Sequence, residues 1–292
     1  MNGRARYRRE EALTGAVFLL PGLGIITVCV FVPIVLAFGL SFTHCSRFLT
    51  IRWAGLYNYQ KLLSDPLALR SLGNTVFYVA VFVPMNLLLS LGIALLLNQR
   101  FKGMRLIRSA YFVPVVLSMV VTVSIFRFLY DYNFGPINAF LGAIGFRPVP
   151  WLDHRDWAMW AIIAMAIWKS AAFFSIIVLA ALQDVPRQLH EAAMMDGAGL
   201  LSRFRNVTIP SIMPVLAAIT ALSSIGAFRV FVPMFVLTNG GPAFATRTMA
   251  LHAYATGFDE GNLGQSSAIS FALLAMIVAA TLVLNWARRR TQ

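Results

Sequence analysis

The 292-residue chain is 59% hydrophobic and only 12% charged, about half the charged share of an average soluble domain. That balance excludes a surface solvated by water and points to the bilayer as solvent. A formal net charge of +13 raises nucleic-acid binding as a possibility, but the basic residues are scattered over short loops, with no basic domain to carry a groove or a stacking platform, so no nucleic-acid partner is expected.

A run of about 18 or more apolar residues, rising about 1.5 Å per residue, is long enough to cross a hydrocarbon core of about 30 Å. Six are expected, making one all-α transmembrane domain over residues 1–292: 13–42, 72–97, 107–130, 157–182, 211–237 and 266–287. Pro21, Pro33, Pro84, Pro114 and Pro233 interrupt them, which membrane helices tolerate where neighbouring groups satisfy the freed carbonyls. Basic residues precede the first run as they do in a signal peptide, but the run is too long and no small-residue cleavage site follows. Cys29 within it and Cys45 near its outer end stand too far apart on a continuous helix for a disulfide.

A cargo leaving water must exchange its hydrogen bonds for protein ones, so polar and aromatic side chains near mid-span are candidates for its pathway. These are Asn86 in the second span, Ser118, Thr122 and Ser124 in the third, Lys169, Ser170 and Phe173 in the fourth, and Ser223, Ser224 and Phe228 in the fifth. Hydroxyls in membranes more often hold helices together. Lys169 and Arg229 are the costliest to place. Each also has a structural explanation, by snorkelling to water or pairing with a carbonyl, and an anionic cargo such as a phosphorylated polyol is the other.

Between the fourth and fifth spans, residues 183–210 carry an unusually polar stretch, "LHEAAMMDGAGLLSRFRNVTIPSIMP". Asp184 is placed to cap a helix near Pro186, Ala192 to Met195 favour that helix, and Gly197 and Gly199 are placed to end it. A second short helix over about 200–207 is expected to turn back until Thr208-Ile209-Pro210 breaks it. The result is a bent hairpin presenting alanines and methionines, or else a connector lying flat on the membrane with Arg203 and Arg205 at the headgroups. In the external loops, "NFGPINAFLGAIGFRPVPWL" reads as a short amphipathic helix, and Asn239-Gly240-Gly241-Pro242 as a tight turn.

Orientation follows from the basic residues. With the N-terminus inside, Arg4, Arg6, Arg8, Arg9, Arg100, Lys102, Arg105, Arg108, Arg187, Arg203, Arg205 and Arg288 to Arg290 face the cytoplasm. Arg47, Arg52, Lys61, Arg70, Arg147, Arg155 and Arg247, half as many, face outward. Both termini and the hairpin are therefore expected inside.

The acids exclude several chemistries. All eleven sit in loops or at span ends, so the mid-membrane carboxylate typical of ion-coupled carriers is missing. Lys61, Lys102 and Lys169 follow Gln60, Phe101 and Trp168, leaving no Gly-Lys pair for a phosphate-binding loop. Any ATPase must be a separate polypeptide. The four histidines lie in separate segments, and "HEAAM" lacks the second histidine of a zinc-protease helix, so no metal site is expected.

Glu191-Ala192-Ala193, then Gly197, then Val207, Ile209 and Pro210 resemble the cytoplasmic loop of the permease subunits of bacterial ABC importers. There the pattern is Glu-Ala-Ala, three residues, Gly, nine residues, Ile, one residue, Leu-Pro. "GLYNYQKLL", "AALQDVP", "IPSIMP", "LTNGGP" and "FDEGNLGQSSAIS", in that order, are similar to carbohydrate permeases of the maltose and glycerol-phosphate type. After "AFRVF" such permeases often have an acid, whereas here Val232 and Pro233 follow.

The resemblance implies that Glu191, Ala192, Ala193, Met195, Asp196 and Gly197 form a coupling helix docked on a cytoplasmic ATPase. It also implies a second homologous permease subunit, two ATPase subunits that bind ATP and Mg2+, and an extracytoplasmic binding protein, with no cofactor on this chain itself. The chain is then half of a sugar or polyol pathway in a bacterial inner membrane, in contact with lipid, and not an enzyme. A stand-alone carrier or channel is the alternative. A membrane-embedded transferase would need clustered acids, histidines or a nucleophile, which the sequence does not provide.

Overall fold

A computed structural model of the chain describes residues 3–46, 50–99 and 102–290. Arg47 and Arg100 of the orientation argument lie outside them. Among the described residues five helical stretches are long and apolar enough to cross a bilayer: Val17–Ser41, Pro66–Leu97, Arg155–Asp184, Leu200–Phe228 and Leu263–Leu284. A sixth arises if Met104–Val116 and Met119–Leu129, bent by 100° at a short break, count as one span.

In chain order, α1 (Gly3–Ile26) passes through a π-helical turn, Thr27–Phe31, into α2 (Val32–Ser41). A two-stranded antiparallel hairpin follows, β1 (Thr43–Cys45) against β2 (Ile51–Trp53), so the chain is not wholly α-helical. Next come α3 (Tyr57–Ser64), α4 (Pro66–Leu97), α5 (Met104–Tyr111), α6 (Val113–Val116), α7 (Met119–Leu129) and α8 (Pro136–Ala143). α9 (Arg155–Asp184) leads to α10 (Arg187–Met195), α11 (Leu200–Arg203), a second π-helical turn at Phe204–Thr208, and α12 (Ile209–Phe228). α13 (Val232–Thr238), α14 (Met249–Tyr254), a third π-helical turn at Ala255–Asp259 and α15 (Leu263–Arg290) complete the chain.

Two sequence expectations are corrected here. Pro210 does not break the chain, because the second arm of the hairpin runs continuously into the fifth span from Leu200. Proline has no N–H, and its ring crowds the carbonyl four residues back. The widened turn just before it, closed by Ile209 N–H to the Phe204 carbonyl, absorbs that conflict. The same device precedes Pro33, where Val32 N–H reaches the Thr27 carbonyl. Asp184 does not cap α10 either. It is the last residue of α9, and Pro186 occupies the N-cap of α10 with no side-chain hydrogen bond.

The chain forms two compact units. The first comprises residues 1–63 and 253–271. Within it Asn58 is buried, and its Nδ2 donates to the carbonyls of Ser41 (2.9 Å) and Thr43 (2.8 Å), pinning α3 to the end of α2 and the hairpin. Asn262 accepts from Gln265 N–H at 3.0 Å, capping α15. A Cβ on Gly264 would come within 2.0 Å of the Thr43 carbonyl, so only glycine allows this approach. Lys61 donates to Gln265 Oε1 at 2.8 Å. "GLYNYQKLL" and "FDEGNLGQSSAIS" therefore interlock, which gives both motifs a structural reason.

The second unit comprises residues 64–252 and 272–292. Asp65 caps α4 by accepting Leu67 N–H at 2.8 Å, with Pro66 in the first turn. Helix α4 packs against α9 and α12 through a stripe of Ala68, Ser71, Thr75, Tyr78, Phe82, Asn86, Ser90 and Ala94. Small residues line its two ends, Ala68, Ser71 and Thr75 at one and Ser90 and Ala94 at the other. In lipid, where apolar burial between helices drives little association, such residues let backbones approach. Helix α9 is buried on most of its circumference, and Val178, Leu179 and Leu182 meet Ala94, Leu97, Met104, Ile212 and Leu216 in an apolar cluster beneath the hairpin.

Candidate functional site

Two regions gather the residues singled out in the sequence. The first is the hairpin that begins with α10. Backbone N–H of Gly197 bonds to the Met194 carbonyl (3.0 Å) and that of Ala198 to the Ala193 carbonyl (2.9 Å), the paired closure of a Schellman motif. It requires a left-handed residue, and Gly197 has φ +77. None of the α10 residues is buried. Glu191, Ala192, Asp196 and Gly197 are exposed, Ala193 is half-buried, and Met195 is 89% exposed.

A nine-residue helix that buries nothing of its own is shorter than the roughly 12 to 15 residues at which isolated helices become even marginally stable in water. Its cap and its attachment to α9 hold the shape, and its outer face is exposed. At its base a polar cleft of about 670 Å³ is lined by Asn98, Arg108, Gln183, Arg187 and His190, among others. The Arg108 guanidinium donates to the Leu97 carbonyl through Nε (3.1 Å) and Nη2 (2.6 Å), closing the C-terminal end of α4.

The second region is a cavity of about 330 Å³ inside the second unit. Its walls come from α4 (Tyr78, Phe82), α9 (Ala166, Ser170, Phe174), α12 (Leu222, Ser223) and the break between α12 and α13, where Arg229 to Val232 line it. The expected single fifth span over 211–237 is thus interrupted: α12 ends at Phe228 and the helix resumes at Val232 with Pro233 in its first turn. Proline cannot continue a helical hydrogen-bond ladder, so the chain opens ahead of it.

Of the predicted pathway residues, Ser170 and Ser223 line this cavity, and Arg229 joins them. The others are placed elsewhere. Asn86 is fully buried, with Nδ2 donating to Ser223 Oγ at 3.0 Å and its Oδ1 unpartnered among the described residues. Ser224 donates to the Thr220 carbonyl of its own helix at 2.8 Å, and Thr122 and Ser124 bond backward in the same way. Ser118 caps α7 by accepting Val121 N–H at 3.3 Å. Phe228 is buried, and Phe173 is half exposed with its ring edge against Phe174. Lys169 donates to the carbonyls of Pro114 (3.1 Å) and Leu117, both at the bend of the third span. Its ammonium occupies the end of a broken helix, where a cation is favoured.

Sequence reasoning missed the aromatic wall. Tyr78 and Phe82 stack at 5.3 Å one turn apart, and their spacing within an apolar span was the available signal. The helix and turn expected in the loops after the third and fifth spans are present. α8 lies within the predicted amphipathic segment, and Asn138 ties it down by donating to the Tyr132 and Val149 carbonyls while accepting from Val149 N–H and Trp151 Nε1. The turn after α13 has Asn239 at φ 47 and Gly240 at φ 82.

Comparison with known proteins adds the following. Residues 23–292 match the family described as binding-protein-dependent transport system inner membrane component. The chain is 33% identical over 97% of its length to the trehalose/maltose transport system permease protein MalF of Thermococcus litoralis, covering 95% of that protein. It is 31% identical over 98% of its length to the lactose transport system permease protein LacF of Rhizobium radiobacter, covering 97% of it. Its fold superposes with a TM-score of 0.85 at 21% identity, over 100% of this chain and 98% of the other, on a chain of a bacterial alginate ABC transporter in complex with alginate pentasaccharide-bound periplasmic protein.

Proposed function

Because the chain belongs to the family of binding-protein-dependent transport system inner membrane components, a family of multi-pass membrane permeases, we propose that it forms half of the pathway of an ATP-driven importer for a sugar or related polyol. The sugar class follows from the relatives: MalF and LacF are named for disaccharide transport, and the aromatic wall with sparse hydroxyls suits pyranose rings. The second half is a homologous permease subunit. ATP and Mg2+ reside in two separate cytoplasmic ATPase subunits, and an extracytoplasmic binding protein delivers the cargo. Both termini and the hairpin face the cytoplasm, as the basic residues favour.

The observation that carries the coupling role is the capped, unburied helix α10. An ATPase closing on nucleotide grips Glu191 to Gly197. The apolar cluster beneath transmits that displacement to α9 and α12, whose inner ends it joins, and the cavity opens outward. Tight packing makes this transmission stepwise, since packed helices shift between discrete arrangements.

The test is a photo-crosslinking residue in place of Met195 in the assembled complex. The expected product joins this chain to an ATPase subunit, with a yield that changes on adding ATP and Mg2+. Crosslinks to lipid alone would reject the coupling role. ATP-independent flux through the purified chain by itself would establish a stand-alone carrier or channel in its place.

A further inference from the structure

The cavity at the break of the fifth span holds a cation that the chain itself does not neutralise, and we infer that the cargo is an acidic saccharide whose oxyanion meets Arg229. This rests on the reading of that cavity as part of a sugar pathway. Arg229 closes α12 and lines the cavity. Its backbone N–H donates to the Ala227 carbonyl, but among the described residues its guanidinium, which is exposed, makes no hydrogen bond, ion pair or ring contact. None of the residues lining the cavity is an acid, and the next positions along the wall are Val230, Phe231 and Val232.

Lys169 shows what a structural cation does in this fold. Its ammonium is consumed by two backbone carbonyls freed at a bend. The break beside Arg229 also frees carbonyls, yet the guanidinium takes none of them. An arginine presents five donors in a planar fork that matches a carboxylate, sulfonate or phosphate in bidentate fashion. With Ser170 and Ser223 as the hydroxyl partners and Tyr78, Phe82 and Phe174 as the apolar wall, the site offers a ring-stacking face and one fixed positive pole. Its size lies at the small end of the roughly 300–1,000 Å³ typical of small-molecule sites, matching one or two sugar rings.

The experiment uses the complete transporter in lipid nanodiscs, with cellobiouronate and cellobiose as an acidic and a neutral disaccharide, and reads binding by equilibrium dialysis. Wild type is expected to prefer the acidic probe. Arg229→Gln should weaken that probe by about tenfold to a hundredfold, the size of a charged hydrogen-bonded contact, and Arg229→Lys should retain part of the preference. Val232→Asp, which adds an acid to the same wall without removing the arginine, should also abolish the preference.

A wild type that prefers cellobiose, or binds neither probe at millimolar concentration, overturns the inference. So does an Arg229→Gln complex that loses both probes equally. ATP hydrolysis in the same samples separates the two levels: an active ATPase with no acidic preference sinks the anion alone, whereas a chain with no associated ATPase sinks the importer reading.

Discussion

Two interruptions of the helical framework contain similar ingredients and resolve them in opposite directions. At the bend between α6 and α7, the third span breaks at Leu117 and Ser118, and carbonyls freed at the end of α6 are taken up by Lys169 from α9 while Ser118 caps the helix that follows. At the end of α10, Gly197 closes the helix by backbone hydrogen bonds alone, and Glu191, Met195 and Asp196 are left exposed. The first break is satisfied within the chain; the second is satisfied only as far as its backbone. Buried breaks must find internal partners because lipid offers none, whereas the side chains left exposed at the second are the ones proposed above to meet the ATPase.

The largest expected effect comes from Gly197→Phe. A side chain there meets no atom within 4 Å, so the chain bears only the left-handed strain of about 1–2 kcal/mol, while a bulky ring enters the proposed docking face. ATP-driven uptake by the assembled complex should fall by about a hundredfold or more, equivalent to about 3 kcal/mol in coupling, with the thermal midpoint moved by only a few degrees. Undiminished uptake would remove the distinction drawn between the two breaks.

Lys169→Met probes the internal break. It strands the carbonyls of Pro114 and Leu117 in an apolar setting, at a cost of about 1–3 kcal/mol. The complex should melt several degrees lower, with cargo affinity unchanged. A tenfold change in affinity at constant melting temperature would instead make Lys169 a cargo ligand, and the bend would lose its explanation.

What the sequence disclosed follows the range of the forces involved. Apolar run length located the long helices, and the glycine that ends α10 was legible because a left-handed cap is a local demand. The 100° bend of the third span was not, since Pro114 and Ser118 permit a break but Lys169, on another helix, stabilises it. Pro210 misled because proline's effect depends on whether the preceding turn can widen, and the continuous helix from Leu200 shows that it did. Gly264 and Asn58 belonged to recognised motifs, but their reasons, a backbone approach and a pair of carbonyl acceptors far off in sequence, exist only in the folded chain. In the cavity, Ser170 and Ser223 were within reach of reasoning from polarity at mid-span, whereas the choice between Lys169 and Arg229 needed the partners of each.

The last effect, absent at neutral pH and growing only in acid, concerns a buried polar group that neither break explains. His252 in α14 is 2% exposed, and both ring nitrogens lack a hydrogen bond among the described residues. Its loop is tied to α4 by Asn74 Nδ2, which donates to the carbonyls of Phe244 (2.8 Å) and Arg247 (2.9 Å), and by Met249 N–H donating to Thr75 Oγ1. Burial and the nearby Arg247 push the imidazole down to about 4, against the opposing pull of Asp65, whose Oδ2 lies 4.0 Å from Nε2. A histidine held below its ordinary value binds its proton more readily in the unfolded chain, so folding stability is complete above about pH 6.5 and declines as pH falls towards 4. The full loss is at most about 3 kcal/mol. His252→Gln should flatten this part of the melting profile between pH 6.5 and 4.5 while leaving the Gly197 and Lys169 phenotypes as they were. An unchanged profile would mean that the imidazole gains a partner on protonation, with Asp65 closing on it, and that this buried ring is satisfied from within as Lys169 is.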